Sequence, residues 1–368
     1  LTKLRDFIKN EPVLDISFIC ALASCFFVPP DAGYAGYIDL RTLALLYCLM
    51  VTVAGLGKAG IFAWTAHKLC VHAPDSRAVG AALVLLCFFS SMFITNDVAL
   101  LTFVPFAAVV LGMSGQTEEL IIVAVMQTAA ANLGSMLLPV GNPQNIYLYS
   151  YYHMTAGEFF SAAAPVCAVS LALLALGCLA LPKRPIGVDF GESPDYDGRE
   201  LILSLVLLAL CLASVFRAME WYVLLPAVIV ILAVFDRKLM LKADFPLLLT
   251  FVCFFVFAGN LGRTDAVERA VKSAIGGREM IAGAAVSQVI SNVPAAVLLS
   301  GFTGDGRALL LGTDIGGLGT PVASLASLIS LRIYSKTDGA RQGRYLAVFS
   351  AVNFSLLALL LVFAELIM

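Results

Sequence analysis

Residues 132–142 read NLGSMLLPVGN, and residues 314–324 read DIGGLGTPVAS. The second stretch begins 182 residues after the first and shares its frame, [ND][LI]GxxxxPV. Upstream, SMFITN (91–96) pairs with SQVISN (287–292), and AGLGK (54–58) pairs with AGNLGR (258–263) with one insertion. Three matches in the same order mark an internal repeat. Proline and glycine at the centre of apolar segments predict that the helices passing through 132–142 and 314–324 are broken there.

The surrounding composition identifies the solvent. Of the 368 residues 60% are apolar and 13% charged, with a mean hydropathy of +0.94. A globular chain is about half apolar and a quarter charged, so this is an all-α polytopic membrane protein. The net charge of −2 and the absence of a basic cluster argue against nucleic acid. The nine cysteines show no CxxC or Cys/His spacing, so they read as packing residues rather than disulfides or metal ligands. The N-terminal segment has a charged start and an apolar run without a small-residue cleavage pattern, and reads as a retained first helix.

Spans of roughly 17 to 25 apolar residues are expected at about 13–30, 40–57, 119–150 (interrupted), 160–181, 200–216, 221–235, 244–259, 306–331 (interrupted) and 346–366. Two more apolar stretches, about 79–111 and 279–301, have polar midpoints and read as re-entrant hairpins. The distribution of basic residues supports this. With two hairpins and a cytoplasmic N-terminus, Lys3, Arg5, Lys9, Lys58, Lys68, Arg77, Lys183, Arg184, Arg199, Arg237, Lys238, Lys242, Arg332, Lys336, Arg341 and Arg344 fall on the cytoplasmic side, and the C-terminus lies outside. The organisation is then a first inverted repeat over 1–182, a cytoplasmic linker over 183–199 and a second inverted repeat over 200–368. Inverted repeats with paired broken helices point to a secondary transporter whose site lies near the bilayer midplane.

Backbone groups freed at such breaks must meet protein or a watery cavity, and can serve an ion or an anion. The candidate substrate and ion site is Thr95, Asn96, Asp97, Asn132, Gly134, Ser135, Gly141, Asn142, Gln144, Asn145, Ser291, Asn292, Thr313, Asp314, Gly316 and Thr320. Acids at membrane depth usually line ion paths or proton relays, so Na⁺ is expected at Asn96, Asp97, Asn292 and Asp314, or a proton on the two acids. The alternative for each acid is a helix cap. No Arg or Lys lies in either tip or break, so an anion would rest on amides, helix N-termini and a co-bound cation. The segments 58–77 and 263–280 mix charge with apolar residues, as interfacial helices do. YLYSYYH (147–153) fits an aromatic belt.

SMFITNDVALLTFVP, ANLGSMLLPVGNPQNIYLY, SNVPAAVLL and GTDIGGLGTPVAS together resemble the ion transporter superfamily, which holds citrate transporters, divalent-anion/sodium symporters, arsenite permeases and NhaD-type antiporters. The resemblance spans about 40–330, and GNPQN is most similar to small bacterial citrate-transporter-like permeases. It implies a homodimer in the bacterial inner membrane, a scaffold domain and an elevator-type transport domain, a small anionic substrate, Na⁺ or H⁺ coupling, and no other cofactor. Dicarboxylate symporters carry Ser-Asn-Thr at both tips. Here the tips read Thr95-Asn96-Asp97 and Ser291-Asn292-Val293, which argues against a dicarboxylate. Two readings compete. One is a NhaD-like cation/proton antiporter using Asp97 and Asp314. The other is an intramembrane enzyme with an aspartyl dyad, against which stands the absence of YD and GxGD elements.

Overall fold

The computed structural model describes residues 12–186 and 191–368. Lys3, Arg5 and Lys9 lie outside the described residues, as does part of the linker. The described chain is helical throughout, without strands. The first half holds α1 (Pro12–Ser24), α2 (Leu40–Lys58), α3 (Ile61–Val71), α4 (Ser76–Ser90), α5 (Asn96–Met113), α6 (Thr117–Ser135), α7 (Pro143–Tyr151) and α8 (Ala156–Leu179). The second half holds α9 (Gly198–Val215), α10 (Trp221–Phe235), α11 (Phe245–Gly262), α12 (Asp265–Ile275), α13 (Glu279–Ile290), α14 (Asn292–Ser300), α15 (Gly306–Ile315), α16 (Leu325–Tyr334) and α17 (Gln342–Ile367). Helices α2, α8, α9, α11 and α17 are each long and apolar enough to cross a membrane.

Polar caps open many of these helices. Asp39, Asp75, Asp197, Asp244 and Asp305 each accept a first-turn backbone N–H, and Thr155 with Glu158 forms a reciprocal capping box at α8. The first helix ends at Ser24, earlier than the expected 30; turns continue the chain to Val28, where Pro29 and Pro30 rule out further helix. The segments 58–77 and 263–280 do contain helices, α3 and α12. The expected aromatic belt is corrected in part: Tyr147 and Tyr149 are buried, Tyr147 shares a 2.7 Å hydrogen bond with Ser300, and Tyr152 is half-buried, so of the four tyrosines only Tyr151 is exposed.

Each half packs in a similar pattern. Helix α4 joins α5 in a hairpin and lies along α6, and α13 joins α14 in a hairpin and lies along α15. Across the halves, α5 packs on α16 and α14 packs on α7. Lipid tails give apolar helices no hydrophobic drive to associate, so close backbone approach must do it. Gly134 supplies that on α6: a Cβ there would stand 2.0 Å from the carbonyl oxygen of Phe88 on α4. The outer face of α10, with Val230, Val234 and Phe235 exposed, suits lipid contact.

Candidate functional site

Helices α5, α7, α14 and α16 start from Thr95, Asn142, Ser291 and Ser324, and none of these residues makes a side-chain cap bond. Helix α7 follows a 3-10 turn at Pro139–Gly141, and α16 follows one at Pro321–Ala323. The residues that close these turns have nearly the same backbone geometry, with φ −139° and ψ 146° at Asn142 and φ −144° and ψ 138° at Ser324. The second hairpin turns through Ser291 at φ 77°. Holding a serine there costs about 1–3 kcal/mol, strain of the kind that collects at functional sites.

The four starts meet. A small cavity of about 20 Å³ is lined by Asn96, Asp97, Pro143, Gln144, Leu247, Asn292, Val293, Ser324 and Leu325, the opening residues of all four helices with one residue of α11. Each N-terminus carries roughly half a positive charge. Asp97 is the sole ionisable side chain on this wall among the described residues.

A web of neutral side chains fixes the geometry. Asn96 Nδ2 donates to Asn132 Oδ1 at 2.9 Å, Ser324 Oγ donates to the same oxygen at 2.9 Å, and Asn132 Nδ2 donates to the Gly317 carbonyl at 3.3 Å. One amide on α6 thus ties the first tip to the second break. The second break is splinted by Gln288 of α13. Its Nε2 donates to the carbonyls of Gly316 and Leu318 at 2.9 and 3.0 Å, and its Oε1 accepts from the Thr320 backbone N–H at 2.8 Å. Gly319, at φ 96°, lets the chain pass this amide, since a Cβ would lie 2.2 Å from Oε1. Asp314 is buried at 2% exposure and receives Gln144 Nε2 at 3.1 Å. With its amide nitrogen turned to Asp314, Asn145 donates to Oδ1 at 2.7 Å and to Oδ2 at 3.2 Å.

A larger cavity of about 440 Å³ adjoins the small one through Asp97, Pro143, Leu247 and Leu325. Its walls come from α1, α2, α5, α11 and α16 and are largely apolar, with Thr95, Asp97 and Thr250 among the polar lining residues and the exposed Lys242, Asp244 and Arg332 completing it.

The profile of the citrate transporter family matches residues 10–303. The chain belongs to the citrate transporter family. It is 30% identical over 329 residues to the transporter MJ0456 of Methanocaldococcus jannaschii, covering 89% of this chain and 90% of that one. It is 28% identical over 334 residues to the inner membrane protein YbiR of Escherichia coli, covering 89% and 88%. In fold it is similar to the YdaH transporter of Alcanivorax borkumensis, with a TM-score of 0.52 at 13% identity over 91% of this chain and 86% of that one. This family member is a multi-pass membrane transporter.

The predicted residues separate into groups. Asn96, Asp97, Gln144 and Asn292 line the small cavity, and Thr95 lines the larger one. Asn132, Asn145 and Asp314 stand behind as the polar web, with Asn142 beside Asp314. Ser291 donates to the Ala323 carbonyl at 3.3 Å, linking second tip to second break. Others serve the backbone alone. Ser135 donates to the Asn132 carbonyl, Thr313 to Leu309, Thr320 to Gln288, Gly134 and Gly141 permit close packing, and Gly316 offers its carbonyl to Gln288. Sequence reasoning missed Gln288, Ser324, Asp244, Lys242 and Arg332. The repeat itself held a signal for Ser324, which aligns with Asn142.

Proposed function

We propose that this family member is a secondary active carrier for a small anion, whether citrate, another carboxylate or an inorganic oxyanion, coupled to Na⁺ or H⁺. The observation that carries the reading is the convergence of four helix N-termini on one cavity without a fixed cation on its wall. Half-helix starts at membrane depth offer N–H groups and partial positive charge to an anion, as discontinuous helices do in secondary transporters. The similar packing of α4–α6 and α13–α15, and the exchange of contacts between each hairpin and the opposite break, support an inverted repeat with re-entrant hairpins and an elevator movement. A homodimer in a bacterial inner membrane, with a cytoplasmic N-terminus and an external C-terminus, completes the proposal. The larger cavity then opens toward the cytoplasm, where Lys242 and Arg332 draw the anion in.

The test is uptake into proteoliposomes under imposed Na⁺ or H⁺ gradients, with citrate, simple carboxylates and oxyanions as cargo. Gradient-driven accumulation of one of them is expected. A second reading is favoured by one specific feature, the Asp97 Oδ1 without a hydrogen-bond partner: a NhaD-like cation/proton antiporter. In that case no anion accumulates, while Na⁺ dissipates a pH gradient.

A further inference from the structure

The larger cavity is built from helix faces. On α16 the lining residues Leu325, Leu328, Ile329 and Arg332 recur at the three- and four-residue spacing of one face, while Ala326, Ser327 and Ser330 between them are buried in the protein. On α5, Val98 and Leu101 recur in the same way, and Leu101 keeps 55% of its surface exposed. Thr95 and Thr250 supply the only hydroxyls among the lining residues, and Thr250 donates its proton to the Pro246 carbonyl at 2.9 Å. The stripe on α16 begins at Leu325, which lines both cavities, and reaches Arg332 roughly 10 Å further along the helix.

The two cavities can hold different things. The small one, at about 20 Å³, has room for a single small polar group, and the helix starts around it favour that group when it is negative. The larger one, at about 440 Å³, has room for an organic body and little to offer a second charge. A carboxylate pressed against Leu328 and Ile329 would lose its water and gain no donor. Asp97, on the wall shared by both cavities, also repels further negative charge. Lys242 and Arg332 are exposed, and among the described residues neither forms an ion pair, so they are free to attract an anion from solvent.

Resting on the carrier reading for its role, we infer that the cargo is a monocarboxylate with an apolar body, its head at the helix starts of the small cavity and its body along the stripe of α16 and α5. A tricarboxylate such as citrate fits this pair of cavities poorly, because one carboxylate fills the polar niche and the others are left among apolar side chains.

The test is thermal unfolding of the purified protein in nanodiscs of zwitterionic lipid, titrated with acetate, butyrate, hexanoate, hexanol and citrate. The half-saturating concentration should fall by about fourfold for each methylene added from acetate to hexanoate, with hexanol and citrate both weaker than hexanoate. Leu101 and Leu328 lie outside the buried core, so Leu101→Asn and Leu328→Asn should keep the ligand-free Tm and the acetate response while cutting the gain from butyrate to hexanoate by about threefold or more. The inference is overturned by a flat chain-length series, by citrate or hexanol binding as well as hexanoate, or by an unchanged series in both variants. It is equally overturned if anionic phospholipid added to the nanodiscs abolishes the hexanoate response, which would assign the cavity to lipid. Gradient-driven uptake of citrate and hexanoate, each measured above protein-free vesicles, separates the two readings. Citrate uptake with a flat series would leave the carrier and remove the apolar cargo, whereas a steep series without uptake of any anion would sink the carrier reading and leave the binding site standing.

Discussion

Replacing Gln288 by methionine isolates the splint on the second break. Met92 occupies the aligned position in the first half, so the substitution imports that half's own solution at similar volume. It removes two donors and one acceptor, leaving the Gly316 and Leu318 carbonyls and the Thr320 N–H without their partner. A buried polar group stripped of its partner costs about 1–3 kcal/mol. Gln288 is only half-buried, so water can reach part of the site, and the low end applies to each group, for a total of about 3 kcal/mol. For 368 residues the unfolding entropy is roughly 0.8 kcal/mol per degree, so Tm should fall by about 4 °C. A maleimide dye that fluoresces on reaching cysteine reads this directly, because Cys48, Cys70, Cys87, Cys167, Cys178 and Cys211 are buried. Under the proposed anion-carrier reading, KM should rise in parallel, since the start of α16 is positioned through this break. Gln288→Met with Tm within a degree of wild type and unchanged KM would refute the argument that the amide holds the second break.

Gly134→Ala should destabilise by overpacking instead. Its Cβ meets a backbone carbonyl, which cannot rotate away, so α4 and α6 must separate at a cost of about 1–3 kcal/mol or more, seen as a lower Tm and reduced yield of monodisperse protein. Asp31 in the α1–α2 loop is held below its ordinary value of 3.8, chiefly by its hydrogen bond with Arg263. A lowered carboxylate stabilises above its unfolded pKa and loses that contribution as pH falls through the folded one. The Tm gap between wild type and Arg263→Gln should therefore hold from pH 8 to 5 and close only below about pH 4. Single cysteines at Arg77 and Gly276, in a background with the native cysteines replaced, should react with impermeant thiol reagents from opposite faces of the membrane, and labelling from one face would dismiss the inverted topology.

Much of the architecture was legible because helix breakers announce themselves. Pro139 with Gly141, and Pro321 after Gly319, placed both breaks, and the polar tips at Asn96 and Asn292 placed both hairpin turns. What the sequence concealed were contacts between segments far apart in the chain. Gln288 is an ordinary polar residue on an apolar helix until it is seen reaching 28 residues along to Gly316. Asp244 reads as a helix cap, and it is one, and nothing local reveals that Asp97 shares its cavity. Asp97 and Asp314 were grouped by their shared chemistry, yet one lines both cavities and keeps a buried oxygen without a hydrogen-bond partner, while the other is held by amides. Tyr147 failed as a belt residue for a related reason. Interfacial composition does not tell whether a tyrosine meets headgroups or a partner such as Ser300.

The four converging helix starts have an electrical consequence. A lysine at the site would travel as a full charge whenever the site changed sides, and the membrane potential would act on it with about 2.3 kcal/mol per 100 mV. A helix dipole holds its opposite pole a few turns away on the same segment, so moving the whole half-helix transfers no net charge. For the proposed anion carrier, the attraction for its cargo therefore adds nothing to the voltage dependence of the empty carrier's return. Asp97 is the exception on that wall. Under the proposed carrier reading, the current carried per cycle becomes a count of cargo charge, coupling ion and this one carboxylate.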